Sequence, residues 1–324
     1  MRAAVCQTLE GPGKVVVADL PAPVPGKGEV LVRVKAVALN FLDTLITRGK
    51  YQYKPDLPFS PAAEIAGVVE SVGEGEERLR VGQRVCGYIG WGGARELVAA
   101  KADLLVEIPD GVSDEVAAGT SVTYGTAIHG LKDRGVLKGG ETLAVLGASG
   151  GAGLAAVELG KLMGARVIAV ASTQEKLDLC VAHGADAGLN YATTDLKQGL
   201  RGLTDGRGVD VIYDCVGGDY AEAALRSIAW GGRFLVVGFA AGQIPRIPLN
   251  LMLLKSCGVL GVFWGEMVMR APHVQRANLE QILQWISEGK LRPHIHKVYP
   301  LEQTGEAIAS LETRTVTGKV IVAI

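Results

Sequence analysis

Apolar and polar positions along the 324-residue chain change rhythm twice. The apolar residues first come in short β-branched or alternating runs, at 3–6, 15–18, 30–38, 64–72, 84–87 and 95–99. Gly and Pro clusters such as Pro21-Ala22-Pro23-Val24-Pro25-Gly26 and Gly73-Glu74-Gly75 separate them. Many short strands with such punctuation predict a small β-rich barrel or sandwich. The stretch NFLDTLITRG at 40–49 interrupts this pattern. It is helix-prone in its middle and closes on Gly, which predicts one or two helical turns.

From 113 onward strands alternate with helices. Ser113-Asp114-Glu115 ahead of Val116-Ala117-Ala118 carries a cap residue and first-turn acids, and VTYGTAIHGL at 122–131 continues helically. Apolar runs at 142–146, 166–170, 187–190, 209–214, 232–237 and 259–263 are parted by helical stretches near 151–163, 174–183, 193–203, 219–229 and 249–255. Six strands joined by crossovers predict an α/β, doubly wound parallel sheet. After Trp264 the pattern shifts again. An amphipathic helix is predicted over 273–289, with Val274, Leu279, Ile282, Leu283 and Ile286 on one face, then a strand at 295–299, a helix at 302–311 and a strand at 319–324. This tail is too short for a domain of its own and is expected to pack back on the N-terminal β module.

The first two strands of the parallel sheet flank the turn Gly147-Ala148-Ser149-Gly150-Gly151-Ala152-Gly153. Ala148, Gly150 and Gly153 have the spacing of G-x-G-x-x-G with Ala in the first place, and strand, turn, helix, strand is the context a dinucleotide fingerprint demands. The small first residue permits a tight turn, Gly150 lets the backbone approach a pyrophosphate, and Gly153 lets helix pack on strand. The phosphate would lie over the N–H groups of Gly151, Ala152 and Gly153 at the helix N-terminus. The second strand ends in Ala171-Ser172-Thr173-Gln174, with no acid before Glu175. An acid there would accept from a ribose 2′-OH and repel a 2′-phosphate, whereas Ser172 and Lys176 would donate to the phosphate. A charge-assisted hydrogen bond contributes about 1.5–3 kcal/mol, so NADPH is expected over NADH.

Composition narrows the class. Formal net charge is −1 with no run of like charges, and pI is near 6.5, which leaves no electrostatic footprint for nucleic acid or a membrane surface. MRAAVCQTLEGPGK lacks the apolar core of a signal peptide, and no stretch approaches membrane-spanning length. Five irregularly spaced cysteines make no disulfide framework. A cytoplasmic protein is expected.

Five segments carry a family resemblance: LNFLDTLITRGKY at 39–51, EIAGVVESVG at 64–73, VTYGTAIHGL at 122–131, GASGGAGLAAVELGK at 147–161 and GGRFLVVGFAAGQIP at 231–245. Essentially end to end, the chain resembles the medium-chain dehydrogenase/reductase superfamily, and within it the zinc-independent quinone oxidoreductase (ζ-crystallin-like) branch. The resemblance implies a GroES-like catalytic domain over 1–122, an NADP-binding Rossmann domain over 123–263 and a segment, 264–324, that returns to the catalytic domain. Zinc-dependent members carry Cys where this chain has Asn40, and His where Ala63 precedes Glu64. Two of three catalytic ligands are therefore missing, and the four-cysteine structural lobe has no counterpart, so no metal is expected. The chain departs from the quinone reductase pattern at Ser60-Pro61-Ala62-Ala63.

Without a Lewis acid the acceptor must be electrophilic by itself, as quinones and α,β-unsaturated carbonyls are. The resemblance places Asn40, Tyr51, Thr123 and Phe239 near nicotinamide or substrate, with Asn40 orienting and Tyr51 as proton donor or water anchor. It further implies cofactor contacts at Tyr191, Gly238, Phe263, Arg314 and Lys319. Asp43, in the family's acidic place, is expected to orient backbone or an Arg rather than do chemistry, and His129 to be a packed core residue. Two alternatives stay open, a reductase of unsaturated acyl thioesters such as acryloyl-CoA, and a non-catalytic NADPH-binding structural or stress protein. The apolar run GVLGVFWG at 258–265, placed at a sheet edge by family topology, is expected to pair with a second copy in a homodimer.

Overall fold

In the computed structural model, which describes residues 1–324, β1 (Arg2–Cys6) and β2 (Val15–Asp19) form an antiparallel pair. Then follow β3 (Glu29–Leu39), α1 (Phe41–Ile46), β4 (Glu64–Val72), β5 (Arg84–Tyr88), β6 (Leu97–Lys101), β7 (Leu105–Glu107) and α2 (Asp114–Ala118). Alternation in β3 buries Val30, Val32 and Val34 on one face while Arg33 and Lys35 stay exposed, as a half-solvated strand requires. Three-residue β7 escapes the sequence pattern because it is shorter than one period of alternation can reveal. Ser113 caps α2 by accepting from Val116 N.

The next part is α3 (Ser121–Ile128), β8 (Thr142–Leu146), α4 (Gly151–Leu162), β9 (Arg166–Ala171), α5 (Gln174–Ala182), β10 (Ala187–Asn190), α6 (Leu196–Gly202), β11 (Val209–Asp214), α7 (Asp219–Leu225), β12 (Ile228–Val236), α8 (Asn250–Lys255) and β13 (Gly258–Gly261). The six strands lie in the order β10-β9-β8-β11-β12-β13, every neighbouring pair parallel. Order reverses between β8 and β11, the arrangement of a doubly wound dinucleotide fold. β8 is buried at all five positions, which explains its unbroken apolar run.

The sixth strand is shorter than its apolar run. The chain leaves the sheet after Gly261 and α9 (Trp264–Arg270) begins where sequence pattern extends a strand. A tertiary contact explains this: the Trp264 indole lies so close to Gly125 that a Cβ there would come within 2.8 Å of it. Further on, α10 (Pro272–Ser287), β14 (Ile295–Pro300), α11 (Thr304–Ser310) and β15 (Lys319–Ala323) complete the chain. β15 lies between β14 and β3 in a seven-stranded sheet ordered β14-β15-β3-β4-β5-β7, with β6 also paired to β3. α10 turns Leu279 and Leu283 onto a cluster with Ala36, Ala38, Cys86 and Ile321. Two compact units result, 1–122 with 265–324, and 123–264.

At the start of α4 a Cβ on Gly153 would overlap the Gly147 carbonyl oxygen. Gly153→Ala is expected to cost about 1–3 kcal/mol through overpacking and to lower the unfolding midpoint of the parallel-sheet unit. A thermal melt indistinguishable from wild type contradicts the close approach.

Candidate active site

In the first unit, three strand ends converge. β3 ends at Leu39, β4 begins at Glu64 and β15 begins at Lys319, and the registers set Leu39 opposite Val320 and Ala38 opposite Glu64. Asn40 follows β3 with extended backbone (φ −131°, ψ 166°) at the N-cap position of α1. Its amide donates from Nδ2 to Glu64 Oε1 at 2.9 Å and accepts at Oδ1 from Lys319 Nζ at 2.7 Å. Lys319 also donates to Glu64 Oε1 (2.7 Å) and the Leu39 carbonyl (3.1 Å). Glu64 Oε2 accepts from Val122 N at 2.7 Å. Glu64 is 0% exposed and Lys319 4% exposed, while Asn40 is half-buried.

Asp43 does what sequence expects of it. One carboxylate oxygen accepts from Asn40 N (2.8 Å) and the other from Ala62 N (2.9 Å). Ala62 adopts a left-handed backbone (φ 71°), which the Asp43 contact and the Gly93 N–Ala62 O bond hold in place. Burial pushes the Asp43 carboxyl up to about 6, opposed by its two backbone donors and by Lys319.

Tyr51 is half-buried against Cys6, Ile46 and Phe59, and its phenol is pushed up by burial and then by Tyr53 and Asp43. Its ring meets Tyr53 edge-on at 5.7 Å, and Tyr53 lies 6.2 Å from Trp91, so an aromatic row leads away from Tyr51. Arg314 is exposed in left-handed backbone (φ 59°) in the loop before β15. Lys319, expected by resemblance as a cofactor contact, has an ammonium with three donors, and each is used inside the unit.

A catalytic zinc does not fit these residues. Asn40 and Ala63 are not ligands of the kind zinc takes, and Glu64 is already neutralised by Lys319. No three His, Cys, Asp or Glu side chains come together as a metal site.

In the second unit the glycine turn meets the demands of a dinucleotide. Gly147 takes φ 72°, and Gly150 caps α4 with extended backbone. A Cβ on Gly150 would meet nothing nearer than 3.5 Å, so the protein's own packing does not require glycine there, and the open space suits a ligand's approach. Gly151, Ala152 and Gly153 begin α4, where backbone N–H groups lack helical partners. Lys176 Nζ lies 3.4 Å from Ser172 Oγ just past β9, and Thr173 caps α5 by accepting from Lys176 N. Tyr191 packs on Tyr220 with ring centroids 4.6 Å apart, beside an apolar hollow that Gly147, Val170 and Val216 also line.

Gly238 and Phe239 are placed by Asp214, a residue that sequence pattern does not single out. Its backbone oxygen accepts from Val237 and Gly238, and its carboxylate accepts from Val216 N (2.8 Å) and Gly217 N (3.0 Å). The only sequence signal is a carboxylate at the end of an apolar strand. Phe239 packs so closely that a Cβ on Gly217 would come within 2.8 Å of its ring. Phe263 is half-exposed just beyond β13, and Thr123 is buried on α3. His129 is buried with Nδ1 2.8 Å from Asp133.

Comparison with known proteins matches 26–110 to the alcohol dehydrogenase GroES-like domain and 183–322 to the family described as zinc-binding dehydrogenase. A quinone oxidoreductase-like protein 2 homolog of Nematostella vectensis is 40% identical over 99% of this chain and 88% of its own length. A mycobacterial protein solved in complex with NADPH is 31% identical over all of both chains, with a TM-score of 0.93. The quinone oxidoreductase of Escherichia coli, also solved with NADPH, is 26% identical over all of both chains, with a TM-score of 0.93. The fold and site thus define an oxidoreductase with a GroES-like unit and a Rossmann unit. The chain belongs to the medium-chain dehydrogenase/reductase superfamily, in its quinone oxidoreductase-like branch.

Asp43 makes stability depend on pH with a defined sign. Its folded value of about 6 lies above the ordinary 3.8, so the folded chain holds this proton more tightly than the unfolded chain. Stability from this group is then greatest below pH 3.8 and falls as pH rises to about 6, by up to about 3 kcal/mol. Asp43→Asn is expected to flatten the slope of the unfolding midpoint against pH across that window. An unchanged slope contradicts the assignment.

Proposed function

We propose that this chain is an NADPH-dependent reductase of quinones and other α,β-unsaturated carbonyls that works without zinc. The observation that carries the reading is the pairing of Glu64 with Lys319 beneath Asn40, which sets a neutral amide where metal-dependent relatives of this fold keep ligands. NADPH, when bound, supplies the hydride. Ser172 and Lys176 hold the 2′-phosphate, the N–H groups opening α4 hold the pyrophosphate, and Tyr191 packs near the adenosine. Gly238, Phe239, Phe263 and Thr123 line the nicotinamide end, and Arg314 adds a phosphate contact.

On the acceptor side, Asn40 donates from its amide to the carbonyl oxygen where charge develops. Tyr51 serves as proton donor or water anchor. The aromatic row through Tyr53 and Trp91 supports flat, conjugated acceptors, since such rings pack on aromatic side chains. No helix is long and apolar enough to cross a membrane, and the five cysteines are free thiols, which suits a reducing compartment. We read the protein as cytoplasmic. β13 has β12 on one side and no strand on the other, with Val259 and Phe263 exposed, and we infer that it pairs with a second copy.

Oxidation of NADPH by 9,10-phenanthrenequinone and by a simple enone, followed at 340 nm, tests the activity. Tight NADPH binding with neither acceptor reduced points instead to a non-catalytic binding protein. Lys176→Ala is expected to raise the Michaelis constant for NADPH roughly tenfold and to leave that for NADH nearly unchanged. Equal effects on both cofactors sink the 2′-phosphate assignment. Light scattering at micromolar protein is expected to give twice the 33.9 kDa chain mass, and a monomeric mass refutes the dimer.

A further inference from the structure

Lys319 and Glu64 are the first residues of β15 and β4, either side of the end of β3, 255 positions apart in sequence. Every donor of the ammonium is used, and both oxygens of the carboxylate are used. The arrangement fixes the sense of the Asn40 amide. Its Oδ1 faces the ammonium and its Nδ2 faces the carboxylate, and a flipped amide would set oxygen against carboxylate and NH2 against ammonium. One amide N–H is left over on the half-buried Asn40.

We propose that the Glu64–Lys319 pair acts as a positioning device that locks the Asn40 amide with its free N–H toward the acceptor, and that Lys319 is not a cofactor-phosphate ligand. The inference rests on the reading of Asn40 as the group that orients the acceptor. Drawing Lys319 away to a phosphate would strip Glu64, which has no exposed surface, of its counter-charge. The pair therefore stays closed whether or not nucleotide is present.

The test uses the full chain and the double variant Glu64→Leu/Lys319→Met, which removes both charges together so that neither is left buried alone. In the double variant the Kd for NADPH, from quenching of protein fluorescence, is expected to change by less than about threefold, while kcat with 9,10-phenanthrenequinone falls about tenfold or more. Asn40→Ala, damaging in the wild-type background, is expected to cost little further in the double variant. A Kd for NADPH raised about tenfold would make Lys319 a phosphate ligand and overturn the proposal, as would an Asn40→Ala effect of equal size in both backgrounds.

A second readout needs no turnover. Asn-selective 15N labelling reports four side-chain amides, those of Asn40, Asn190, Asn250 and Asn278. The pair of signals lost in Asn40→Ala is expected to show slow hydrogen exchange in the wild type and fast exchange in the double variant. Insensitivity of those signals to the pair overturns the proposal even if the chain reduces neither acceptor. Protected signals in a chain that reduces neither acceptor leave the lock standing and overturn its catalytic use together with the proposed activity.

Discussion

A carboxylate with no exposed surface has to be matched charge for charge, and Glu64 imposes that demand where three strands of the first unit end. Its partners come from far apart in sequence: Asn40 from the β3–α1 junction, Val122 N from the start of α3, and Lys319 from the last strand. Breaking such a buried pair from one side costs several kcal/mol, because the remaining charge is stranded. The discontinuity of the unit follows from this as much as from apolar burial. β15 is bound to β3 by its ladder, and its leading residue neutralises the charge that β4 brings inside.

The second unit is organised by a different kind of constraint. No ion pair anchors the glycine turn, and its geometry rests on atoms that are missing. Gly153 admits the Gly147 carbonyl, Gly125 admits the Trp264 indole, and Gly217 admits Phe239. Each is a place where one methyl group would force backbone or a large ring to move. Interiors packed to crystal-like density do not give by that much cheaply. Gly150 is the exception that points outward, since protein packing leaves it room and a ligand is the remaining reason for glycine there.

These two kinds of constraint differ in how far sequence reveals them. The steric kind is local and periodic, so the strands at 142–146, 187–190 and 209–214, the turn between 147 and 153, and the 64–72 strand were all legible to the residue. The electrostatic kind was legible only as its parts. Asp43 reaches three residues back and could be anticipated as an orienting group, whereas the Lys319–Glu64 contact spans 255 residues and leaves no local trace. Resemblance alone assigned Lys319 a different partner. α9 escaped for a related reason, because an apolar run ending in Val262-Phe263-Trp264 reads as strand until the Gly125 contact turns the indole inward.

The acceptor proposed above follows from what an oriented amide is able to do. A metal ion stabilises a developing alkoxide by several kcal/mol as a Lewis acid, while a single neutral hydrogen bond contributes about 1 kcal/mol net. Placing the amide between a fixed ammonium and a fixed carboxylate improves its aim, since its orientation is paid in advance, but does not turn it into a Lewis acid. Substrates whose reduction concentrates charge on one oxygen therefore gain too little here. Those that spread it over a conjugated ring or enolate need less help, and for them a rigid donor beside an aromatic row is sufficient. Under the proposed function, selectivity for such acceptors would originate in the buried charges that hold Asn40 still.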